Sequence, residues 1–404
     1  MRILRADYIL TSNDNFEILR DKAVCFDDKI VEIGDAKVLQ EKYPDASYEE
    51  KGANSVLMAG LINPHVHLEF SANKTNLKYG DFIPWLQSVI EHRDDLQSKC
   101  GDDCIDEAIK AIMISGTTTI GAVSSFAADM EACVKTPLNV VYFNEVLGSN
   151  PAAVDTLYGD FSGRLQESQR HASSSFIPAI SVHSPYSTHF VLARKAIKDA
   201  KDFGMVVSTH FMESQAERDW LDEGRGDFKA FFEPFAPNAK PINEPDEYLS
   251  LFDGVKTLFT HATKATDEEL SKMQKLGSIT HCPRSNRLLG NGRLSLEKLE
   301  AFTLATDGMS SNDSLSLWDE MRAALMMHHQ ASLEKFAERL IVASTKAGAD
   351  ALSLNKGVVA VGKDADLIMI ELPDSVQEDE ALALALVMFT KKMSEVYVAG
   401  RKVL

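Results

Sequence analysis

Nowhere in its 404 residues does the chain hold an apolar run approaching the roughly 18 residues needed to span a bilayer. Nor does the opening stretch MRILRADYILTSNDN contain an apolar core of signal-peptide length, so neither a membrane span nor a cleaved leader is expected. Positive charge is in deficit: 42 Lys and Arg against 60 Asp and Glu leave a formal net charge of -18. That field repels a nucleic-acid polymer and an anionic membrane surface alike. A small substrate can still bind where local basic residues or a metal ion override the global sign. Cysteine is scarce, odd in number and scattered (Cys25, Cys100, Cys104, Cys133, Cys282), which predicts free thiols in a reducing cytoplasm. Cys100 and Cys104 lack a second nearby pair, so no structural zinc site is expected there. Low-complexity tracts and solenoid-length repeats are also missing. What remains is an ordinary globular balance, 25% charged and 45% hydrophobic, long enough for one large α/β domain with a smaller companion.

Strand texture marks both ends. ADYILTSND and KAVCFDDKIVEIGD alternate apolar and polar positions near the start, and KGVVAVGKDADLIMIELP and SEVYVAGRKVL return to it near the end. Residues 1–56 and 351–404 are therefore expected to pair into one small composite β-sandwich domain. Between them, across 57–350, apolar β-branched runs alternate with amphipathic helical stretches. The runs lie at 57–62, 117–123, 138–146, 176–184, 205–212, 255–263, 277–283 and 302–308; helical stretches include 83–97, 104–115, 190–203, 267–276 and 315–332. Continuous apolar strands separated by helices are parallel strands buried on both faces. Eight such units predict a closed (β/α)8 TIM barrel, with a doubly wound open sheet as the alternative.

Active sites of such barrels form at the C-terminal ends of the strands. Strand 1 ends in Asn63-Pro64-His65-Val66-His67, and two histidines one residue apart on an extended strand point to the same side. Strand 5 ends in Ser208-Thr209-His210-Phe211-Met212-Glu213, strand 6 in Phe259-Thr260-His261, and strand 8 in Ala305-Thr306-Asp307-Gly308. Singly, each has a bland reading: a histidine bonded within the core, an Asp-Gly turn, a carboxylate at a helix start. Together they converge several imidazoles and a carboxylate on one mouth of one barrel.

GLINPHVHLE, STHFMES, LFTHAT, HCPRSN and ATDGMSSND, in that order, resemble the signature segments of the amidohydrolase superfamily. More closely they resemble its deaminase branch, and the likeness runs from about Ala6 to Leu404. The resemblance implies His65, His67, His210 and Asp307 as metal ligands. Nitrogen and carboxylate ligands with an open position suit one divalent metal, Zn²⁺ first and Fe²⁺ as the alternative. A two-metal branch of the superfamily uses a carbamylated lysine, and the ends of strands 3 and 4, Tyr142-Phe143-Asn144-Glu145 and Ser181-Val182-His183-Ser184, offer none. The implied catalytic groups are Asp307 and His261, which handle the water, and Glu213, which protonates a ring nitrogen so that the neighbouring C–NH₂ carbon becomes electrophilic.

The segment HSPYST is similar to that of the methylthioadenosine/S-adenosylhomocysteine deaminases, which implies that His183 contacts the nucleoside, and Trp85 matches a pocket-wall aromatic of the same enzymes. Glu91, Asp94 and Asp95 are candidates for holding ribose hydroxyls. INPHVHLEFSANKTNLKYGDFIPWL resembles the aminodeoxyfutalosine deaminases of menaquinone biosynthesis, whose substrate is an adenine nucleoside with a carboxyphenyl tail. Lys74, Arg284 and Arg287 are the candidates for meeting that carboxylate. The expectation is a cytoplasmic aminohydrolase acting on a small nucleoside and water, without nucleic-acid or membrane partners, possible as a homodimer. The alternatives are another hydrolase on this scaffold (triazine chlorohydrolase-like, guanine or cytosine deaminase, imidazolonepropionase-like), or a barrel that has lost catalysis and serves as a scaffold.

Overall fold

Strand propensity and burial sort this chain into two sheets. The computed structural model describes residues 1–72, 75–99, 102–234, 236, 238–329 and 332–404, with the backbone alone at 94, 95, 97–99 and 102. In chain order the strands are β1 (Arg2–Leu10), β2 (Ile18–Phe26), β3 (Ile30–Gly34), β4 (Ser47–Glu50), β5 (Ser55–Ala59), β6 (Leu61–Val66), β7 (Thr117–Ser124), β8 (Asn139–Val146), β9 (Phe176–Val182), β10 (Val207–Phe211), β11 (Thr257–His261), β12 (Gly277–His281), β13 (Thr303–Leu304), β14 (Leu367–Glu371), β15 (Glu395–Val398) and β16 (Arg401–Lys402).

β6 to β13 lie side by side in sequence order, each parallel to the next. Every residue of β7 and β8 is buried, as strands covered on both faces must be. Helices such as Phe190–Phe203 and Asp267–Leu276 intervene, making a (β/α)8 barrel. The seam between β6 and β13 is joined by individual bonds: Asp307 N–H donates to His65 C=O at 3.2 Å, Asn63 Nδ2 to Thr306 Oγ1 at 2.7 Å, and Thr306 N–H to Asn63 Oδ1 at 3.2 Å. Barrel closure therefore also joins the chain around His65 to the chain around Asp307.

The run expected as one strand at 57–62 is divided at Gly60. Its first half ends β5, in the other sheet; its second half begins β6, in the barrel. A Cβ on Gly60 would sit 2.3 Å from the Thr118 side chain, so the crossing between sheets needs glycine. Periodicity could not locate this break because both halves are fully buried. The eighth run, 302–308, is laddered only at Thr303–Leu304, because Asp307 leaves the extended region at φ 59°.

Strands from both termini share the second sheet through the antiparallel β5–β14 pair, and the sheet branches at β1, which pairs with β4 through its first half and β5 through its second. Leu4, Val24, Leu57, Leu367 and Tyr397 pack on one side of it. Leu10, Met58 and Ile368 join barrel-helix residues Trp318 and Leu340 in another apolar cluster, so the two sheets share a core.

Local signals bound the helices: Thr266 and Glu269 form a capping box at the start of Asp267–Leu276, and Gly204 and Gly224 terminate Phe190–Phe203 and Gln215–Glu223 at φ 66° and 62°. Cys25, Cys133 and Cys282 are free and buried. Cys104, expected as a free thiol, is disulfide-bonded. An odd, scattered count speaks to average redox setting and cannot anticipate one particular bond. Among the described residues no helix is long and apolar enough to cross a membrane.

Candidate active site

At the C-terminal end of the barrel, residues of β6, β10 and β11 and the segment after β13 meet in one cluster. His65 Nε2 and His67 Nε2 lie 3.6 and 3.7 Å from Asp307 Oδ1. His67 Nε2 and His210 Nε2 are 3.4 Å apart. His261 Nε2 is 3.9 Å from Asp307 Oδ2 and 3.6 Å from Glu213 Oε1. Ligand atoms of His65, His67 and Asp307 lie within 4.8 Å of one another, as do those of His65, His210 and His261. The structure thus brings together the four residues expected as ligands, and sets His261 as close to them as they are to each other.

The outer edges of these rings are tied. His210 Nδ1 donates to the His183 carbonyl at 2.8 Å, which directs a bare Nε2 inward. His261 Nδ1 donates to Asn286 Oδ1 at 2.8 Å with the same result. His65 Nε2 is buried with no hydrogen-bond partner among the described residues, an open donor atom of the type that a cation satisfies. Asp307 Oδ2 accepts from Ser285 and Ser311 hydroxyls at 2.8 and 2.7 Å, and Oδ1 accepts from the Gly308 N–H at 2.8 Å. Imidazole nitrogens and a carboxylate oxygen around one point, with the far sides of His210, His261 and Asp307 fixed, fit a divalent cation.

The electrostatics match. Burial holds the His67 and His261 imidazoles down to about 4, the neutral form a metal ligand or a proton acceptor needs. For Asp307 burial pushes upward, but the His65 contact and the neighbouring His67 and His261 hold the carboxyl well below its ordinary range. Glu213 goes the other way: burial first, then Asp307 and Glu217, push its carboxyl well above the usual range. The capping role that Glu213 could have had is taken by its neighbours. Ser214 accepts from Glu217 N–H at the start of Gln215–Glu223, and the Glu217 carboxylate accepts from Glu213 N–H at 2.7 Å. The Glu213 side chain is left to face the cavity, steadied by Asn291 Nδ2 at 3.2 Å. Backbone strain collects here too: Met212, His261, Ala262 and Asp307 all have φ between 50° and 74°, each costing of the order of 1–3 kcal/mol.

The cluster floors a cavity of about 360 Å³, a size suited to a nucleoside. Trp85 and His183, singled out from the sequence, line it. Trp85 Nε1 donates to the Ser310 carbonyl at 2.8 Å, and His183 Nδ1 contacts Ser187 Oγ at 2.5 Å. Among the lining residues that carried no expectation are Glu145, Phe126 and Arg93. Glu145 closes β8 and receives Ser125 Oγ at 2.5 Å; the rule that polar strand ends face the site would have found it. Arg93 follows Trp85 by two helical turns, a periodicity that could also have been read. The expected tail cations fare differently. Arg284 is engaged by Asn312 Oδ1 at 3.1 Å, by Asp313 and by Glu320, and neither it nor Arg287 lines the cavity. Lys74, and the side chains of Asp94 and Asp95, lie outside the described residues, and Glu91 is exposed and absent from the lining.

Comparison with known proteins gives the family and the fold. Residues 56–403 match the model of the amidohydrolase family. The chain is 47% identical, over all of its length and 99% of the relative's, to the aminodeoxyfutalosine deaminase of Nitratiruptor sp.. It is 35% identical, with the same coverage, to the adenosine deaminase of Helicobacter pylori. The crystal structure of Helicobacter pylori aminofutalosine deaminase in complex with methylthio-coformycin superposes with a TM-score of 0.95, covering 100% of both chains at 34% identity.

Proposed function

This chain belongs to the amidohydrolase family and is a hydrolase of carbon–nitrogen bonds, and from that premise we propose that it deaminates an adenine nucleoside, 6-aminodeoxyfutalosine, in menaquinone biosynthesis. One observation carries the reaction type: a buried carboxyl whose charged form is disfavoured, Glu213, faces the same cavity as the His–Asp cluster. The full-length likeness to the Nitratiruptor enzyme supports the substrate.

In this reading His65, His67, His210 and Asp307 hold one divalent cation, zinc as the first choice and iron as the alternative. When bound, such a cation lowers the pKa of water toward neutrality. The chain's own residues do the rest. His261, with Nδ1 committed to Asn286, offers Nε2 to orient the attacking water. Asp307 accepts the water's proton, its carboxylate steadied by Ser285, Ser311 and the Gly308 N–H. Glu213 donates its proton to the purine ring nitrogen, drawing electrons from the adjacent carbon. A non-ligand glutamate has the same task in zinc nucleobase deaminases of another fold. The water oxygen adds to that carbon. The proton held by Asp307 passes to the amino nitrogen as the C–N bond breaks and ammonia leaves. The new hydroxyl gives its proton back to Glu213 as the carbonyl forms, and the ring nitrogen keeps the proton it received. Trp85, whose indole N–H is spent on Ser310, and His183 bound the ring and sugar.

The test is an ultraviolet assay on metal-analysed protein with aminodeoxyfutalosine, methylthioadenosine, S-adenosylhomocysteine and adenosine, following adenine to hypoxanthine. The expected result is turnover with the highest kcat/KM for aminodeoxyfutalosine. Silence toward all four with metal bound overturns the deaminase reading; preference for methylthioadenosine or S-adenosylhomocysteine makes it a salvage enzyme instead.

A further inference from the structure

The helix Phe82–Lys99 sets Trp85, Leu86, Val89, Ile90 and Arg93 along the cavity wall. Spacings of three and four residues put them on one helical face. The inner end of this face is pinned, because Trp85 Nε1 bonds the carbonyl of Ser310, three residues beyond Asp307. Eight residues on, ~12 Å along the axis, Arg93 is exposed at the mouth. The rim beside it is apolar and open: Ile90, Phe126 and Leu147 line the cavity while 47%, 45% and 37% exposed. Clustered exposed apolar surface at a cavity mouth marks a binding surface, and a ribose, being polar, gives it nothing to cover. Among the described residues lining the cavity Arg93 is the one lysine or arginine. In a chain of net charge -18, it is the local cation that an anionic ligand requires.

We propose that this mouth is a subsite for the tail of the nucleoside: the rim of Ile90, Phe126 and Leu147 covers an aromatic or other apolar extension, and the Arg93 guanidinium pairs with a carboxylate at its end. The inference rests on the proposed deamination and assigns the specificity for a long anionic tail to the mouth, away from the reacting atoms. A planar, permanently charged fork suits a benzoate-type carboxylate, to which it can donate two parallel N–H bonds.

The experiment measures kcat and KM for metal-loaded wild type, Arg93→Gln and Arg93→Lys. The substrates are aminodeoxyfutalosine, the same nucleoside with its tail carboxylate replaced by a carboxamide, and methylthioadenosine. In Arg93→Gln the preference for carboxylate over carboxamide should fall about 10–100-fold, the range of a charge-assisted hydrogen bond, through KM rather than kcat. Arg93→Lys should retain part of that preference. An unchanged preference, or equal losses on the carboxylate and carboxamide substrates, overturns the role of Arg93 while leaving the deaminase reading intact. Wild type that turns over methylthioadenosine but not aminodeoxyfutalosine overturns the substrate reading, and the tail subsite with it.

Discussion

Around Asp307, the imidazoles of His65, His67, His210 and His261 turn their Nε2 atoms toward one another and toward carboxylates. Behind them His281, at the end of β12, meets His328, and their Nε2 atoms are 3.4 Å apart, the same separation as between His67 and His210. Burial depresses both pairs, with His67 and His328 each held down to about 4. What separates the clusters is who faces them. His328 Nδ1 accepts from Arg293 Nη1 at 2.7 Å, so the pair is closed by a cation on one side. The first cluster has Asp307, Glu213 and an unpartnered His65 Nε2. Proximity of histidines is therefore no sign of chemistry; an open donor atom beside a carboxylate is. Asn286 links the two, accepting from His261 Nδ1 at 2.8 Å while its amide lies 3.4 Å from His281 Nδ1.

Breaking the first cluster should have the largest effect. Chelation of the wild type should abolish turnover, with recovery on added Zn²⁺, whereas His65→Ala should bind metal weakly and stay inactive in its presence; metal analysis beside the activity assay checks both. Full activity in chelated, metal-free protein would remove the cation from the mechanism. Next, Glu213→Gln should keep its metal but lose about 10²–10⁴-fold in kcat, the contribution of a positioned general acid. A loss under about tenfold would instead favour chemistry without ring protonation. Cutting the link between the clusters is milder: Asn286→Ala should lower kcat about 10–100-fold, as outer-sphere partners of site histidines do, while thermal melting reports whether the barrel itself is intact.

The smallest effect on turnover belongs to the second cluster. His328→Gln should leave kcat within about threefold, a change under 1 kcal/mol in barrier, and should alter the pH dependence of stability. A histidine whose folded pKa lies near 4, below its unfolded value near 6.5, binds more protons when unfolded, so its contribution is present above the unfolded value and is lost as pH falls toward 4. Wild type should therefore lose more Tm than His328→Gln between pH 7 and pH 5. Equal slopes would mean that His328 titrates freely in the folded protein.

The strand ends were readable because their chemistry is local. His65 and His67 alternate on one strand, and His210, Glu213, His261 and Asp307 each follow an apolar run that could only be a buried strand. The motif order carried the family. Cations were a different matter: Arg284 stands in a motif segment yet is engaged by Asn312, Asp313 and Glu320, while Arg93, on the helix singled out for Trp85 and its acidic neighbours, lines the cavity. A long side chain can reach several partners, and sequence spacing does not say which.

Sequence by itself determined the alternation of buried strands and helices, and hence the barrel, and it determined which polar side chains occupy the strand ends, since both follow from burial and from the two-residue repeat of an extended chain. Only the tertiary structure decided where the chain passes from one sheet to the other, at Gly60 against Thr118. It alone decided that Glu213 faces the cavity while Glu217 serves the helix start, and that of two histidine clusters one is open. Those outcomes depend on contacts between residues far apart in the chain, which exist only once the barrel has closed.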